Sequence, residues 1–337
     1  MDIRVAVIGA GSWGTTVAAL AARNTPTIIW SRRAELAEQI NDEHRNGDYL
    51  ADYELPPALE ATDDLERAVK GCDVLVMGVP SAGFRGALEE VSKHLRPWVP
   101  VISLAKGLEV GSRKRMSEIV TEVVPGHPVG VLTGPNLAKE ILAGHAAATV
   151  IAMDDHNVAV ALAELFRAEL FRVYTNEDVI GCELGGVLKN VIAIAAGMAD
   201  GLGAGDNTRA AVITRGLSEI TRLGLELGGE ALTFSGLAAM GELSATCIST
   251  QSRNRHVGER LGKGETIDEI IAAMNMVAEG VKTSKVVCEL AEELGIDMPI
   301  AAEVKAVCHD GRSATEAYHG LLKRDSGHEQ AGIRANV

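Results

Sequence analysis

The most constraining feature of the sequence is a glycine-rich turn near its N-terminus, in the stretch VAVIGAGSWGTTVAAL. Gly9, Gly11 and Gly14 have G-x-G-x-x-G spacing, directly after an apolar β-branched run and before a helical pattern. Glycines in this context form a tight turn and let a pyrophosphate approach the backbone, where the free N–H groups of the helix start face the anion. The motif therefore predicts a dinucleotide-binding site.

The end of the second predicted strand bears on which dinucleotide binds. An acidic residue there would hydrogen-bond the ribose 2′-hydroxyl and select NAD, but IIWSRR places Ser31, Arg32 and Arg33 at this point. Because two guanidinium groups suit a 2′-phosphate, the sequence favours NADP over NAD. The alternative is that the arginines start a helix or point to solvent, which would leave the protein indifferent between the two cofactors.

Apolar runs divide the chain into two parts. Seven runs in the first part alternate with helical patterns: IRVAVIGAG, PTIIW, DVLVMGV, VPVISLA, PVGVLTG, ATVIAM and FRVYTN. This alternation predicts a mostly parallel sheet with helices on both faces, an α/β domain of the Rossmann type. After Asn176 only helical periodicity follows, which predicts an all-α C-terminal domain. We expect a Rossmann domain over residues 1–180, a helical substrate domain over 181–323 and a frayed tail over 324–337.

Composition restricts the partners and the compartment. The 337 residues carry 46 acidic and 32 basic side chains, a net charge of −14, which argues against broad binding to nucleic acid. The five cysteines form no Cys-x-x-Cys pair, and no clustered Cys/His motif predicts a metal site. We find neither a signal-peptide pattern nor about 18 consecutive apolar residues. We therefore expect a cytoplasmic protein without an integral membrane segment.

Two further motifs follow predicted strands, where an open α/β sheet places its ligands. SLAKGLE presents Lys106 in this position, and LTGPNLAKEI follows another strand. In the second motif Gly134 makes a turn, while Asn136 and Ala138 offer groups to a small ligand. Each motif alone is an ordinary loop, and only the shared position at strand ends favours a site.

The helical part contains a lysine on a glycine-containing helix face. Gly185 and Gly186 lie four and three positions before Lys189, and each glycine costs about 1 kcal/mol of helix stability relative to alanine. Such glycines indicate a close approach, either of another helix or of a ligand beside the lysine.

A second cluster, STQSRNRHVG, concentrates cations in this acidic chain. It is either a solvated helix end or an anion site formed by Ser252, Arg253 and Asn254. We expect Arg255 and His256 to be solvated neighbours in both cases.

Taken in order, the motifs resemble one family: GAGSWGT, SLAKGLE, TGPNLAKE, LKNVIAIAAG, GDNTRAAVITRGLSE, GELSATCIST, SRNR and VAEGVKT. From Ile3 to about Lys323 the sequence is similar to the bacterial-type NAD(P)-dependent glycerol-3-phosphate dehydrogenases. The resemblance implies a Rossmann domain joined to a helical domain. It also implies reversible reduction of dihydroxyacetone phosphate to sn-glycerol 3-phosphate for glycerophospholipid synthesis, by a homodimer.

The same resemblance implies roles for individual residues. Besides the three glycines, it assigns the cofactor to Ser12, Trp13, Arg32, Arg33, Lys106, Ala138, Arg253, Val277 and Glu279. It assigns the substrate to Lys106, Gly134, Asn136, Lys189, Glu242, Ser252, Arg253 and Asn254. Lys189 would accept the proton in the oxidative direction, and Lys106 would stabilise charge on the substrate oxygen. Glu242 stands where the family commonly has aspartate, so its contact with Lys189 is an expectation that depends on the longer side chain.

Two other functions remain open at the level of sequence. A different NADP-dependent reductase of a small hydroxy or keto acid would keep the glycine turn and Lys189 but would not need SRNR. A non-catalytic NAD(P)-binding sensor would retain Lys106 and Lys189 together only by accident.

Overall fold

The computed structural model describes residues 3–274, 278–324 and residue 328. The chain divides into two units, Met1–Val179 and Ile180–Val337. The first is an α/β unit and the second is helical, which confirms the predicted fold class. All but two residues of the tail predicted over 324–337 lie outside the described residues.

The first unit is built on one sheet of eight strands in the order β3-β2-β1-β4-β5-β6-β7-β8. Neighbouring strands are parallel except for β6 and β7, which are antiparallel. The strands are β1 Val5–Ile8, β2 Thr27–Trp30, β3 Leu59–Thr62, β4 Val74–Met77, β5 Val101–Ser103, β6 Val129–Thr133, β7 Ala147–Met153 and β8 Phe171–Asn176.

Helices cover both faces of this sheet. They are α1 Ser12–Ala22, α2 Ala34–Glu43, α3 Gly47–Leu50, α4 Leu65–Val69, α5 Ser81–Ser92, α6 Met116–Val123, α7 Ala138–Leu142 and α8 His156–Phe166. Alternate residues of β1 enter two different apolar clusters: Val5 and Val7 join one, and Ala6 and Ile8 join the other. Because successive side chains of a strand point to opposite faces, both faces of the sheet are buried, as the unbroken apolar runs predicted.

Strand β3 was not among the seven predicted strands. Its four residues, LEAT, include Glu60, which interrupts any apolar run. The strand pairs only with β2 at the edge of the sheet, and Glu60 lies half-buried there in an ion pair with Arg67. A short edge strand needs little apolar sequence, because only part of its surface is buried.

The second unit consists of helices, and no strand occurs after Asn176 in the residues that the structure describes. The helices are α9 Val179–Gly201, α10 Gly205–Glu226, α11 Ala231–Phe234, α12 Glu242–Ile248, α13 Arg253–Gly262, α14 Ile267–Ala272, α15 Glu279–Glu293, α16 Pro299–His309 and α17 Ala314–Leu322. A π-helical segment, Leu237–Gly241, joins α11 to α12.

Two apolar segments in the described part of the chain, Val179–Gly201 and Ala231–Ile248, have the length and composition of membrane spans. The apolar window of the first is 94% buried within the protein. Leu184, Leu188 and Ile192 of this segment belong to the core of the second unit. Helix α9 is therefore a core helix, which explains why its composition is so apolar.

Helices α9 and α13 pack at unusually close range. A Cβ atom added to Gly258 would lie 2.0 Å from the carbonyl oxygen of Ile194, and one added to Gly197 would lie 2.0 Å from that of Arg255. Only glycine permits this approach, since both distances are far below any van der Waals contact. The crossing fixes the start of α13 against the helix that carries Lys189.

Candidate functional site

The glycine turn has the geometry that its spacing predicts. Gly9 has φ +112°, and a Cβ atom there would lie 2.8 Å from the carbonyl oxygen of Gly78. A Cβ atom on Gly14 would lie 2.1 Å from the carbonyl oxygen of Gly9, so both positions require glycine. Gly11, by contrast, has no atom within 4 Å of where its Cβ would stand, and it is the N-cap residue just before α1, so no side chain caps the helix. The helix start is thus open to an anion.

Trp13, inside this turn, carries an unsatisfied donor. Its indole Nε1 is buried and has no hydrogen-bond partner among the described residues, although the ring packs against the core of the first unit. A buried donor without a partner is uncommon in folded proteins and points to a missing partner. Together with the open space at Gly11, it fits a bound dinucleotide. Ser12, next to it, is the first residue of α1.

The side chain of Asn46 supports the glycine turn, a role that the sequence analysis did not predict. Its side chain is fully buried, and Nδ2 donates to the carbonyl oxygen of Ala10 at 3.0 Å and to Oγ1 of Thr15 at 2.8 Å. In sequence, Asn46 followed by Gly47 signals only a turn or a helix start, and it does cap α3. Its tie to a loop 36 residues earlier is tertiary and has no local signal.

The two arginines after β2 differ in their surroundings. Arg33 immediately precedes α2, and its guanidinium forms an ion pair with Asp48. Its backbone N–H donates to the hydroxyl of buried Ser31 at 3.2 Å. Arg32 is exposed and makes no hydrogen bond or ion pair with any described residue. Arg33 therefore stands at a helix start, as one alternative from the sequence proposed. The side chains of Arg32 and Arg33 both remain accessible to a ligand.

The motifs that follow β5 and β6 meet, as their shared position predicted. Nζ of Lys106 lies 3.5 Å from the carbonyl oxygen of Gly134. Nδ2 of Asn136 donates to Oγ1 of Thr149 at 2.8 Å, while its buried Oδ1 accepts no hydrogen bond from the described residues. Ala138 begins α7 just beyond them. One cation, one turn and one free amide oxygen are thus collected at one end of the sheet.

An ion pair anchors the loop that carries Lys106. Arg85 of α5 donates to both carboxylate oxygens of Glu109, at 2.7 and 2.8 Å. This hydrogen bonding, aided by the hydroxyl of Ser112, lowers the pKa of Glu109 to about 2. A bidentate pair is geometrically specific, so it restricts the loop three residues after the lysine.

In the second unit, Lys189 is buried in a polar cluster. Its ammonium forms an ion pair with Glu242 and donates to Oγ1 of Thr246 at 2.7 Å. Glu242 is 1% exposed, so the carboxylate with one extra methylene does reach the lysine. Sequence reasoning missed Thr246, although its spacing of four from Glu242 places both on one face of α12.

The close approach expected at the glycines before Lys189 is made at Gly185 by another helical segment. A Cβ atom on Gly185 would lie 2.7 Å from the carbonyl oxygen of Ala238, in the π-helical segment. That segment leads directly into Glu242. The contact therefore helps to position the carboxylate beside the lysine, and π-helical turns often occur at functional sites.

The SRNR residues lie at the start of α13, and each has different contacts. The hydroxyl of Ser252 accepts from the backbone N–H of Arg255 at 3.2 Å and caps the helix. Arg253 is the first helical residue and is exposed. Asn254 is buried: its Nδ2 donates to Oδ1 of Asn190 at 2.9 Å, and its Oδ1 accepts from the N–H of Gly280 at 3.0 Å. Asn254 thus fixes the helix start to α9 and α15.

Arg255 does not lie in solvent as expected. Its side chain is 14% exposed, and Nε donates to Oδ2 of Asp200 at 2.8 Å. Asp200 also accepts from Arg209 at 2.8 Å, which makes a three-membered ion cluster. The reason is that Arg255 lies on the side of α13 that packs against α9. His256 is exposed, in agreement with the expectation.

Two predicted cofactor residues lie at the start of α15 or just before it. Val277 lies outside the described residues, and Glu279 is the first residue of α15.

Comparisons with known proteins agree along almost the whole chain. The family model of the N-terminus of NAD-dependent glycerol-3-phosphate dehydrogenase matches residues 4–159, and that of the C-terminus matches residues 178–319. Glycerol-3-phosphate dehydrogenase (NAD(P)+) 2 of Sphingopyxis alaskensis is 61% identical, over 98% of this chain and 99% of its own. A counterpart from Mycobacterium bovis is 56% identical, over 98% and 97%.

Solved structures show the same similarity. The crystal structure of glycerol-3-phosphate dehydrogenase from Coxiella burnetii superposes with a TM-score of 0.91 at 36% identity. The match covers 96% of this chain and 99% of that one.

Proposed function

Because the chain belongs to the NAD-dependent glycerol-3-phosphate dehydrogenase family, we propose that it interconverts dihydroxyacetone phosphate and sn-glycerol 3-phosphate with NAD(P)H. The observation that carries this proposal is the buried cluster of Lys189, Glu242 and Thr246. A buried ammonium with two polar partners is held in one orientation, which is what a group that exchanges a proton with substrate requires.

Lys189 acts as the acid–base group in this proposal. It gives a proton to the substrate oxygen during reduction and takes it back during oxidation. Glu242 and Thr246 fix the direction of the ammonium, since each occupies one of its three donors. The third donor remains for the substrate oxygen. Lys106 is the second cation that the family resemblance assigns to the substrate, and its proposed role is to stabilise negative charge on a substrate oxygen.

The start of α13 binds the substrate phosphate. Arg253 supplies a guanidinium, and the hydroxyl of Ser252 keeps a donor while its oxygen caps the helix. The helix start adds a favourable field for an anion. Asn254 contributes by anchoring this helix start to Asn190, the residue next to Lys189.

The glycine turn holds the dinucleotide, with Ser12 and Trp13 beside the pyrophosphate and Arg32 and Arg33 near the adenosine ribose. The bound nicotinamide supplies the hydride for the reduction. The open space at Gly11 and the unpaired Nε1 of Trp13 support this placement. Two accessible guanidinium groups favour NADP(H), although NAD(H) is also expected to bind.

The direct test is absorbance at 340 nm with purified protein, dihydroxyacetone phosphate and either NADPH or NADH. We expect oxidation that depends on the phosphorylated ketone and proceeds with both cofactors. Tight cofactor binding without oxidation by dihydroxyacetone phosphate would refute the proposed reaction.

Arg253→Ala is expected to raise KM for dihydroxyacetone phosphate by about 10- to 100-fold, because a hydrogen bond to a charged group contributes about 1.5–3 kcal/mol. The loss against unphosphorylated dihydroxyacetone should be much smaller. Lys263→Ala, which removes an exposed cation at the other end of α13, serves as the control and should leave KM unchanged. An equal loss for both ketones would contradict the phosphate role.

We also infer a cytoplasmic homodimer that supplies glycerophospholipid synthesis. This rests on the family to which the chain belongs. Cell fractionation tests the compartment, the mass of the native protein in solution tests the dimer, and lipid labelling in a deletion strain tests the supply of phospholipid precursor.

A further inference from the structure

The ion pair between Arg33 and Asp48 bears on cofactor choice. We propose that Asp48 is a specificity-determining residue: its carboxylate, paired with Arg33, restrains binding of the 2′-phosphate and favours the 2′-hydroxyl, so that NADP(H) and NAD(H) both remain usable. The inference rests on the proposed dinucleotide site, but it goes beyond the assignment of the arginines to the cofactor.

The Arg33–Asp48 pair lies where a domain of this type contacts the adenosine ribose. Arg33 follows β2 by three residues, at the position from which a dinucleotide domain of this type contacts the ribose 2′-position. The two side chains are 52% and 46% exposed, so a ligand can reach both of them. A phosphate on Arg33 would therefore lie next to a carboxylate that already occupies the same guanidinium.

Asp48 is held in this place by the segment that supports the glycine turn. Asn46 is tied to Ala10 and Thr15, and the N–H of Gly47 donates to Oε1 of Gln39 on α2 at 3.0 Å. Tyr49, the residue after Asp48, donates its backbone N–H to Oδ1 of Asn46 at 3.3 Å. Because these hydrogen bonds hold the backbone on both sides of Asp48, they restrict movement of its carboxylate away from Arg33.

The charges decide the direction of the effect. A phosphate monoester carries about −1.5 to −2 charges at neutral pH, and a fixed carboxylate one guanidinium away repels it. The 2′-hydroxyl of NAD(H) is neutral and can donate a hydrogen bond to a carboxylate, the usual basis of NAD selection. Asp48 therefore opposes one cofactor and supports the other, while Arg33 and Arg32 act in the opposite sense.

Asp42 offers a matched control within the same surface. It lies on α2, is exposed, and lines the same open cavity as Arg33 and Asp48. Its carboxylate makes no hydrogen bond or ion pair within the described ranges. Asp42→Asn thus removes the same formal charge nearby without touching the pair, and it separates a general charge effect from the proposed one.

The experiment titrates wild type, Asp48→Asn and Asp42→Asn with NADPH and, separately, with NADH. Binding is monitored by the quenching of tryptophan fluorescence. For Asp48→Asn we expect the ratio of Kd(NADH) to Kd(NADPH) to rise on the order of fivefold, mostly through tighter NADPH binding. Asp42→Asn should change the ratio by much less. Raising the salt to about 0.5 M should shrink the difference between Asp48→Asn and wild type, because the effect is electrostatic.

An unchanged ratio, a shift toward NADH, or an equal effect of Asp42→Asn would overturn the inference. The readout needs neither dihydroxyacetone phosphate nor turnover, so it stands even if the proposed substrate is wrong. Because each ratio comes from one protein preparation, a partly inactive variant does not alter it.

Discussion

Replacing Lys189 with alanine is expected to lower kcat by about 10² to 10⁴ while NADPH still binds to the first unit. The ammonium is the donor held by Glu242 and Thr246, and no water molecule can take its place with the same charge and direction. The measurement combines kcat at saturating dihydroxyacetone phosphate with a fluorescence titration of NADPH. Near-normal turnover would contradict the acid–base assignment.

The variant also leaves Glu242 buried without its cation, which by itself destabilises the fold by several kcal/mol. Lys189→Met/Glu242→Gln removes both charges and should fold better than Lys189→Ala, yet remain equally inactive. Small primary amines added to Lys189→Ala should restore part of kcat, since they return an ammonium to the cavity. Lys285→Ala, an exposed lysine on α15, should behave as wild type. Activity in the double variant would show that Lys189 has only a structural role.

The parts of this site that could be predicted from sequence are those with local signals. The glycine turn depends on three residues within six positions, and its strand–turn–helix context is readable in the sequence. The fold class and the family are likewise confirmed, because periodicity and ordered motifs extend along the whole chain. The roles assigned to individual site residues remain predictions.

What could not be predicted depends on tertiary neighbours. The sequence around Asn46 indicates only a turn, but its side chain hydrogen-bonds to the glycine turn 36 residues earlier. Arg255 reads as a surface cation, but α13 turns it toward Asp200. Asn254 is assigned to the substrate, and the sequence gives no sign that its side chain also connects α9 to α15. In each case the residue type permits several environments, and only packing selects one.

Replacing Gly258 with alanine is expected to destabilise the second unit by about 3 kcal/mol or more. The added Cβ would lie 2.0 Å from the carbonyl oxygen of Ile194 and 2.9 Å from the amide nitrogen of Met198. Both are backbone atoms, so no side chain can rotate to make room, and α9 and α13 must separate. This cost exceeds the gain of up to about 1 kcal/mol that alanine brings to a helix interior.

Gly86→Ala is the matched control, because Gly86 is an exposed residue inside α5 with no atom within 4 Å of its Cβ position. The same substitution there should stabilise by about 0.5–1 kcal/mol. The measurement is urea unfolding followed by circular dichroism at 222 nm, since all three tryptophans lie before residue 99 and report only on the first unit.

Separation of the two helices would also displace Ser252 and Arg253 from Lys189, whose relative positions depend on the α9–α13 crossing. Gly258→Ala should therefore raise KM for dihydroxyacetone phosphate even in the fraction that stays folded. If the variant unfolds at the wild-type urea concentration, the two helices are not held by this contact. The position of the start of α13 beside Lys189 would then depend on other contacts between the two helices, such as the Asn254–Asn190 hydrogen bond and the Arg255–Asp200 ion pair.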